Sequence, residues 1–249
     1  MKNIDIFTNR SDNYARARPA YAVKAADFIF AELADFNLPV ADMGSGTGIF
    51  SKEAVLRGFE TFGVEPNANM REKAEEALGS YDNFHSVAAP AEDSGIAGKS
   101  VGLVTAASAV HWFDISKFKS ECKRILVPSA YVCLIINERK YDDFTECQHE
   151  ICEKYCPAFS SVAHGAIKTR KAAQELFESE FEIKRFSHNL FYSCENFIAR
   201  TLSSSYSLLP NEPGYGEYVK ELTKLARTKI TDEGTFSVAN DTVVIWGKL

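Results

Sequence analysis

The segment "VADMGSGTGIF", residues 40–50, places an apolar run and an aspartate directly before three glycines that alternate with small polar residues. Gly44, Gly46 and Gly48 allow a tight backbone turn and let a ligand approach the main chain closely. The next segment, "IFSKEAVLRG", has helical character and stops at Gly58. This order predicts a strand, a ligand-binding turn and a helix, the opening unit of a parallel α/β sheet.

The surrounding segments continue this alternation. The spacing of apolar residues predicts helices over residues 21–36, 67–79 and 114–126, and short buried strands over residues 60–66, 100–110 and 129–137, with another within residues 83–93. Strands that alternate with amphipathic helices form a parallel sheet with helices on both faces.

The pattern changes after about residue 140. Segments 180–193 and 236–249 alternate like strands, whereas segments 141–156, 194–209 and 217–230 have helical spacing. We expect an antiparallel hairpin at the sheet edge, with its long connection forming a helical lid. Residues 1–249 then form a single domain, with a core over about 22–140 plus the strands at 180–193 and 236–249, and a lid over about 1–21 and 194–235.

Composition narrows the function classes. The chain has 249 residues and a formal net charge of −6, and no dense Lys/Arg run, which argues against a nucleic-acid partner. No apolar stretch is long enough to span a bilayer, and the first residues have no apolar signal-peptide core, so we expect a cytoplasmic protein with no membrane partner. Cys152 and Cys156 share a helix face, but no second ligand pair follows, so no metal is expected. Monomer and homodimer both remain open.

The glycine spacing restricts the ligand. A dinucleotide fingerprint, G-x-G-x-x-G, would need a third glycine at the position of Ile49, and a phosphate-binding P-loop would need Gly-Lys-Ser/Thr. Neither is present. Glu65 ends the second predicted strand, about 20 residues beyond the loop, where an acidic residue accepts hydrogen bonds from ribose hydroxyls. A ligand with a ribose is therefore expected.

Four segments in this order carry a resemblance to a known family: "VADMGSGTGIFS", "GVEPNANM", "AAPAED" and "LVTAASAVHWFD". They resemble class I, Rossmann-like S-adenosylmethionine-dependent methyltransferases. "HWFD" and the N-terminal "YARARPAY" are similar to the small-molecule branch with trans-aconitate methyltransferase-like and methyltransferase type 11 proteins. The resemblance covers about the first 140 residues. It implies a seven-stranded, mostly parallel sheet with an antiparallel C-terminal hairpin strand.

The resemblance also implies a set of residues that contact S-adenosylmethionine. Asp42 would favour the positively charged end of the molecule, and Glu65 would bind the ribose hydroxyls. Met70 would flank the adenine, although it is equally well explained as helix core, and Glu92 could be a solvated loop acid. The full expected set is Asp42, Gly44, Ser45, Gly46, Gly48, Glu65, Pro66, Met70, Ala91, Glu92 and Ala107, with Tyr14 and Arg18 from an N-terminal segment that folds over the cofactor.

The sequence gives weaker signals for the residues that contact the methyl acceptor. His111 follows the fourth strand and is the candidate general base, but it could also shape the pocket or form a structural corner with Trp112. Tyr21, Trp112, Arg200 and Tyr206 are candidate acceptor contacts. The turn "AASAVHWF" lacks the prolines typical of enzymes that methylate amide or base nitrogens. We therefore expect a small-molecule acceptor and transfer to oxygen; a carboxylate acceptor is already ionised and needs no base.

Two other functions remain open at this point. A nicotinamide-dependent oxidoreductase could use a similar sheet, although the glycine spacing counts against it. A non-catalytic protein that binds S-adenosylmethionine for regulation would have the same loop and the same Glu65. The lid-like segment, with room for an acceptor, favours a methyltransferase.

Overall fold

The computed structural model describes residues 19–159, 165–178, 180–204 and 206–249. The helices, in chain order, are α1 (Val23–Glu32), α2 (Ser51–Val55), α3 (Ala68–Leu78), α4 (Ile115–Ile125), α5 (Asp143–Tyr155), α6 (Gly165–Phe177), α7 (Cys194–Leu202) and α8 (Tyr215–Arg227). The strands are β1 (Val40–Met43), β2 (Thr61–Val64), β3 (Phe84–Val87), β4 (Val101–Ala107), β5 (Leu126–Arg139), β6 (Phe181–Ser187), β7 (Leu190–Tyr192), β8 (Phe236–Val238) and β9 (Asn240–Gly247).

The main sheet has seven strands in the order β3-β2-β1-β4-β5-β9-β6. Strands β1 to β5 are mutually parallel, and β9 runs antiparallel to both of its neighbours, β5 and β6. The predicted Rossmann-like sheet with an antiparallel C-terminal strand is confirmed. The strand order reverses between β1 and β4, and ligands of such sheets bind at this switch point.

Short polar side chains fix the starts of the helices that follow β2 and β4. The Asn67 side chain accepts a hydrogen bond from the Met70 backbone amide at 3.0 Å and begins α3. Asp114 accepts from the Lys117 amide at 3.1 Å and begins α4. Both caps satisfy amides that have no partner within the helix, so each helix begins at a defined residue next to the ligand-binding edge of the sheet.

The sheet is buried on both faces, as a parallel sheet requires. One face packs against α4 and α6, with Phe118, Ile125 and Leu176 fully enclosed. The other face packs against α1 and the residues around the glycine loop, including Ile29 and Phe50. Helix α6 has no counterpart in the sequence predictions.

A third apolar cluster lies outside the main sheet and forms what we call the lid. It joins α5, α7, α8 and the two-stranded β7–β8 sheet through buried residues that include Phe144, Phe197, Tyr218, Leu222 and Phe236. The lid therefore contains α5, which precedes the segment expected for it. Most of the N-terminal part of the expected lid, residues 1–18, lies outside the described residues.

The structure corrects the two C-terminal strands. Segment 180–193 was expected to be one strand, but it divides into β6 in the main sheet and β7 in the lid sheet; segment 236–249 divides in the same way into β8 and β9. Ser187 pairs with Asp241 in the main sheet, and Leu190 pairs with Val238 in the lid sheet. The two segments therefore pass from one sheet to the other at the same level. An alternating pattern continues through such a crossing, because the period of two is the same in both sheets.

Candidate cofactor and acceptor site

A cavity of about 750 Å³ opens at the carboxyl ends of the parallel strands, next to the switch point between β1 and β4. It lies between the main sheet and the lid and has two halves. The half near β1 and β2 is lined by Gly44, Ser45, Gly46, Thr47, Glu65, Pro66, Met70, Ala91, Glu92 and Ala107. The half near β5 and the lid is lined by residues that include Tyr21, His111, Trp112, Arg139, Gln148, Arg170, Tyr192, Arg200, Tyr206 and Asn240.

The glycine loop has left-handed backbone at Gly44, Gly46 and Gly48, with φ of 67°, 57° and 79°. A Cβ at Gly44 would lie 2.7 Å from the Ala109 Cβ, so this position must lack a side chain. A Cβ at Gly46 would meet only the Met70 Cε, at 3.6 Å. Gly44 and Gly46 line the cavity, whereas Gly48 faces Leu78 of α3 and serves packing instead.

Glu65 connects the loop to the second strand. Its side chain is 9% exposed, and its Oε2 accepts a hydrogen bond from the Gly46 amide at 3.0 Å. Its Oε1 accepts from the Asn67 amide at 2.8 Å. Burial raises the pKa of the Glu65 carboxyl, and the two amides oppose that shift. Each carboxylate oxygen can accept a further bond, so a ligand hydroxyl in the cavity can reach a rigidly held acceptor.

Asp42 lies below the loop and does not line the cavity. It is 1% exposed, and its two oxygens accept hydrogen bonds from Ser51 Oγ at 2.7 Å and Thr105 Oγ1 at 2.9 Å. Asp42 thus lies behind the loop, and its expected contact with the positive end of the cofactor stays a prediction. Burial raises the pKa of Asp42 to about 6, with hydrogen bonds opposing the shift. The carboxylate ties α2 to β4 beneath the glycine loop.

The remaining expected cofactor residues lie at the rim of the same half. Met70 is buried against the loop and also faces the cavity, so both of its expected roles are compatible with its position. Glu92 lines the cavity, and its Oε1 accepts from the Asp114 amide at 2.8 Å. Tyr14 and Arg18 lie outside the described residues.

A strained residue marks the boundary between the halves. Ser108, just beyond β4, has a φ of 54°, which is uncommon for a residue with a side chain. Its amide donates to the Ile135 carbonyl at 2.7 Å, and its hydroxyl accepts from the Tyr21 hydroxyl at 3.0 Å. His111 and Trp112 follow in a short 3₁₀ turn, half-buried, with ring centroids 5.0 Å apart. The turn directs both side chains towards the cavity.

The acceptor half contains residues that sequence reasoning missed. Arg139 ends β5 and donates to Gln148 Oε1 of α5, and Gln148 Nε2 donates to Thr201 Oγ1 of α7 at 3.2 Å. Arg200 Nη1 donates to Ser204 Oγ at 3.3 Å. Nothing in the local sequence marks Arg139, because it reaches the site only through the length of β5 and the packing of the lid.

Some polar atoms that line the cavity are buried without a hydrogen-bond partner within the described part of the chain, among them Thr47 Oγ1, Tyr192 OH and Asn240 Nδ2. Buried polar groups are normally paired, so each of these atoms is available to a bound ligand. Thr47 faces the half that the glycine loop forms, and it could serve the cofactor. No group of three or more His, Cys, Asp or Glu side chains could hold a metal ion in the ranges that the structure describes.

No helix among the described residues is long and apolar enough to cross a membrane.

Comparison with known proteins agrees with this architecture. Residues 41–134 match the family "Methyltransferase domain". An uncharacterized methyltransferase of Mycobacterium tuberculosis is 31% identical over 126 residues, which cover 51% of this chain and 49% of the relative. A putative methyltransferase of Dictyostelium discoideum is 30% identical, covering 49% of this chain and 45% of the relative. The chain thus spans about half the length of the curated relatives it matches.

A solved structure extends the similarity of fold to most of the chain. A candidate type II methyltransferase from Anaeromyxobacter dehalogenans superimposes with a TM-score of 0.65 at 17% identity, covering 93% of this chain and 97% of that chain. The sequence match falls on the strands and loops that form the first half of the cavity. Residues 41–134 therefore match the methyltransferase domain family, and the fold of the chain is similar to that of the solved methyltransferase over most of its length.

Proposed function

We propose that this protein transfers the methyl group of S-adenosylmethionine to an oxygen atom of a small-molecule acceptor. The observation that carries the proposal is the continuous cavity, which joins the Glu65–Gly46 cradle to a second polar half under the lid. A non-catalytic binding protein would need the first half alone. The volume of about 750 Å³ lies within the range of roughly 300–1,000 Å³ typical of ligand pockets.

The residues of the first half fit the proposed cofactor. Glu65 offers a fixed carboxylate to ribose hydroxyls, and Thr47 offers a buried hydroxyl that lacks a protein partner among the described residues. Gly46 leaves space for the ligand to approach the main chain. When bound, S-adenosylmethionine supplies a methyl group that its sulfonium has already activated. The protein therefore has to hold, align and enclose the two reactants.

The residues of the protein then act mainly by positioning the two reactants. Tyr21 and Ser108 hold the end of β4 against the cavity, and the lid closes over the acceptor half and excludes water. His111 lines the cavity at the boundary and is the proposed base for an acceptor that carries a proton. A carboxylate acceptor carries no proton at neutral pH, so His111 would then shape the site without taking up a proton.

Incubation with S-adenosylmethionine labelled at the methyl carbon tests the proposal, with a panel of small hydroxy acids and carboxylic acids as acceptors. We expect label in an organic product, and in a base-labile methyl ester if the acceptor is a carboxylate. The His111→Ala variant separates the two chemistries: it retains full activity with a carboxylate and loses most activity with a hydroxyl. Binding of S-adenosylhomocysteine without transfer to any acceptor would favour a regulatory binding protein.

A further inference from the structure

The acceptor half contains more positive charge than the protein itself neutralises. Three arginines line it: Arg139, Arg170 and Arg200. Arg170 is neutralised, because its Nη2 lies 2.8 and 2.9 Å from the two oxygens of Glu138. Arg139 forms no ion pair with any carboxylate in the ranges that the structure describes; its guanidinium donates to the neutral amide of Gln148. Glu138 itself is also engaged by Arg185 at 2.8 Å.

Arg139 and Arg200 line the same cavity and belong to different parts of the fold. Arg139 comes from the main sheet and Arg200 from α7 of the lid. Gln148, which accepts a hydrogen bond from Arg139, also donates to Thr201, the residue next to Arg200, and both arginines line the cavity. Burial raises the pKa of the Tyr206 hydroxyl, and the positive charge of both guanidinium groups opposes that shift. The Tyr206 hydroxyl is not an anion at neutral pH, so it does not neutralise the charge of Arg139.

Independent evidence comes from the two unpartnered polar groups in this half. Tyr192 OH and Asn240 Nδ2 belong to side chains that are 4% and 3% exposed, and neither atom has a hydrogen-bond partner among the described residues. Asn240 is paired with Arg139 across the β5–β9 ladder, so the two side chains lie on the same face of the sheet. A buried donor without a partner costs stability unless a ligand satisfies it.

We propose that the acceptor half binds an oxyanion, a carboxylate or a phosphate carried by the methyl acceptor, between Arg139 and Arg200, with Tyr192 and Asn240 donating hydrogen bonds to it. The inference rests on the proposed function, since it assigns the other half of the cavity to the cofactor. It names the substrate class as small anionic molecules. Arginine is suited to this task because its planar guanidinium binds carboxylates and phosphates through two parallel hydrogen bonds.

The test uses protein saturated with S-adenosylhomocysteine and titrates it calorimetrically with succinate, with methyl phosphate and with the uncharged succinamide. We expect at least one of the two oxyanions to bind and succinamide not to bind. The anion that binds more tightly shows whether the site prefers a carboxylate or a phosphate. Arg139→Gln is expected to weaken that binding about 10-fold or more, and Arg139→Lys is expected to recover part of it. The matched control Arg227→Gln removes an exposed arginine of the lid that does not line the cavity, and it should leave binding unchanged.

Tyr192→Phe provides a second variant that keeps the packing of the lid. It removes only an unpartnered buried hydroxyl, so the midpoint of thermal unfolding should not fall, while oxyanion binding weakens several-fold. Affinity for S-adenosylhomocysteine should be the same in all these variants. A wild-type protein that does not bind S-adenosylhomocysteine would refute the proposed function. Three results would overturn the oxyanion site alone if the wild type still binds S-adenosylhomocysteine. They are no binding of either oxyanion, equal binding of succinamide, and undiminished oxyanion binding in Arg139→Gln.

Discussion

Gly44 and Gly46 lie two residues apart in the glycine loop, and we expect their replacement by alanine to cost different amounts of stability. Both have left-handed backbone, which costs a residue with a Cβ about 1–2 kcal/mol. At Gly44 the new Cβ would also lie 2.7 Å from the Ala109 Cβ and 3.0 Å from the Phe113 ring. Relief of such overpacking costs about 1–3 kcal/mol more. Gly46→Ala carries only the first cost, since its Cβ meets Met70 at 3.6 Å.

The two variants should therefore separate stability from binding. Gly44→Ala should lose about 2–5 kcal/mol of unfolding free energy, and Gly46→Ala about 1–2 kcal/mol. At about 2–4 °C for each kcal/mol in a domain of this size, the two midpoints of thermal unfolding are resolvable. Gly46→Ala should nevertheless weaken S-adenosylhomocysteine binding by about 10-fold or more, because its methyl group occupies the open side of the loop that faces the cavity.

Thermal unfolding and calorimetric titration of both variants provide the assay. Equal loss of stability in the two variants would show that the contact with Ala109 does not determine the need for glycine at position 44. Wild-type affinity in Gly46→Ala would show that no ligand approaches the loop at this residue. Either result would contradict the role that the structure gives to the glycine concerned.

Three further predictions concern residues that stabilise the structure around the cavity. The pKa of Asp42 is raised to about 6 from 3.8, so the folded state loses stability as the pH rises through that window. Asp42→Asn removes this loss, so the unfolding free energy of the variant relative to wild type should rise by about 2 kcal/mol between pH 4 and 7 in denaturant titrations. Tyr21→Phe should cost about 1 kcal/mol of stability, because it removes the hydrogen bond to Ser108 Oγ at 3.0 Å; an unchanged unfolding midpoint would contradict this. Asn67→Ala should cost about 1 kcal/mol through loss of the cap on the Met70 amide, and Asn67→Asp, which keeps the cap, should retain most of the stability.

The parts of the fold and site that the sequence predicted are those with local signals. The glycine loop and Glu65 lie at the ends of consecutive strands, so the order of elements was enough to place them together. Asp42 has an equally local signal at the end of β1, but its neighbours Ser51 and Thr105 come from other elements. Proximity to the loop was predictable, whereas the enclosure of its carboxylate was not.

The acceptor half could not be predicted because its residues meet only through distant pairing. Arg139 and Asn240 become neighbours when β9 inserts beside β5, and Gln148 reaches Arg139 only when α5 joins the lid. The division of the C-terminal strands between two sheets was missed for the same reason. Tyr192 is separated from β6 by a change of sheet that leaves the alternation of the sequence intact.

Calorimetric titration with S-adenosylhomocysteine tests the central claim most directly, with wild type, Glu65→Ala and the control Glu60→Ala compared. Glu60 is exposed next to β2 and does not line the cavity, so its variant should bind like wild type. The account predicts binding to wild type that Glu65→Ala weakens by about 10-fold or more, equal to at least about 1.4 kcal/mol. Absence of binding to wild type, or equal affinity in Glu65→Ala, would contradict the assignment of this half of the cavity to the cofactor.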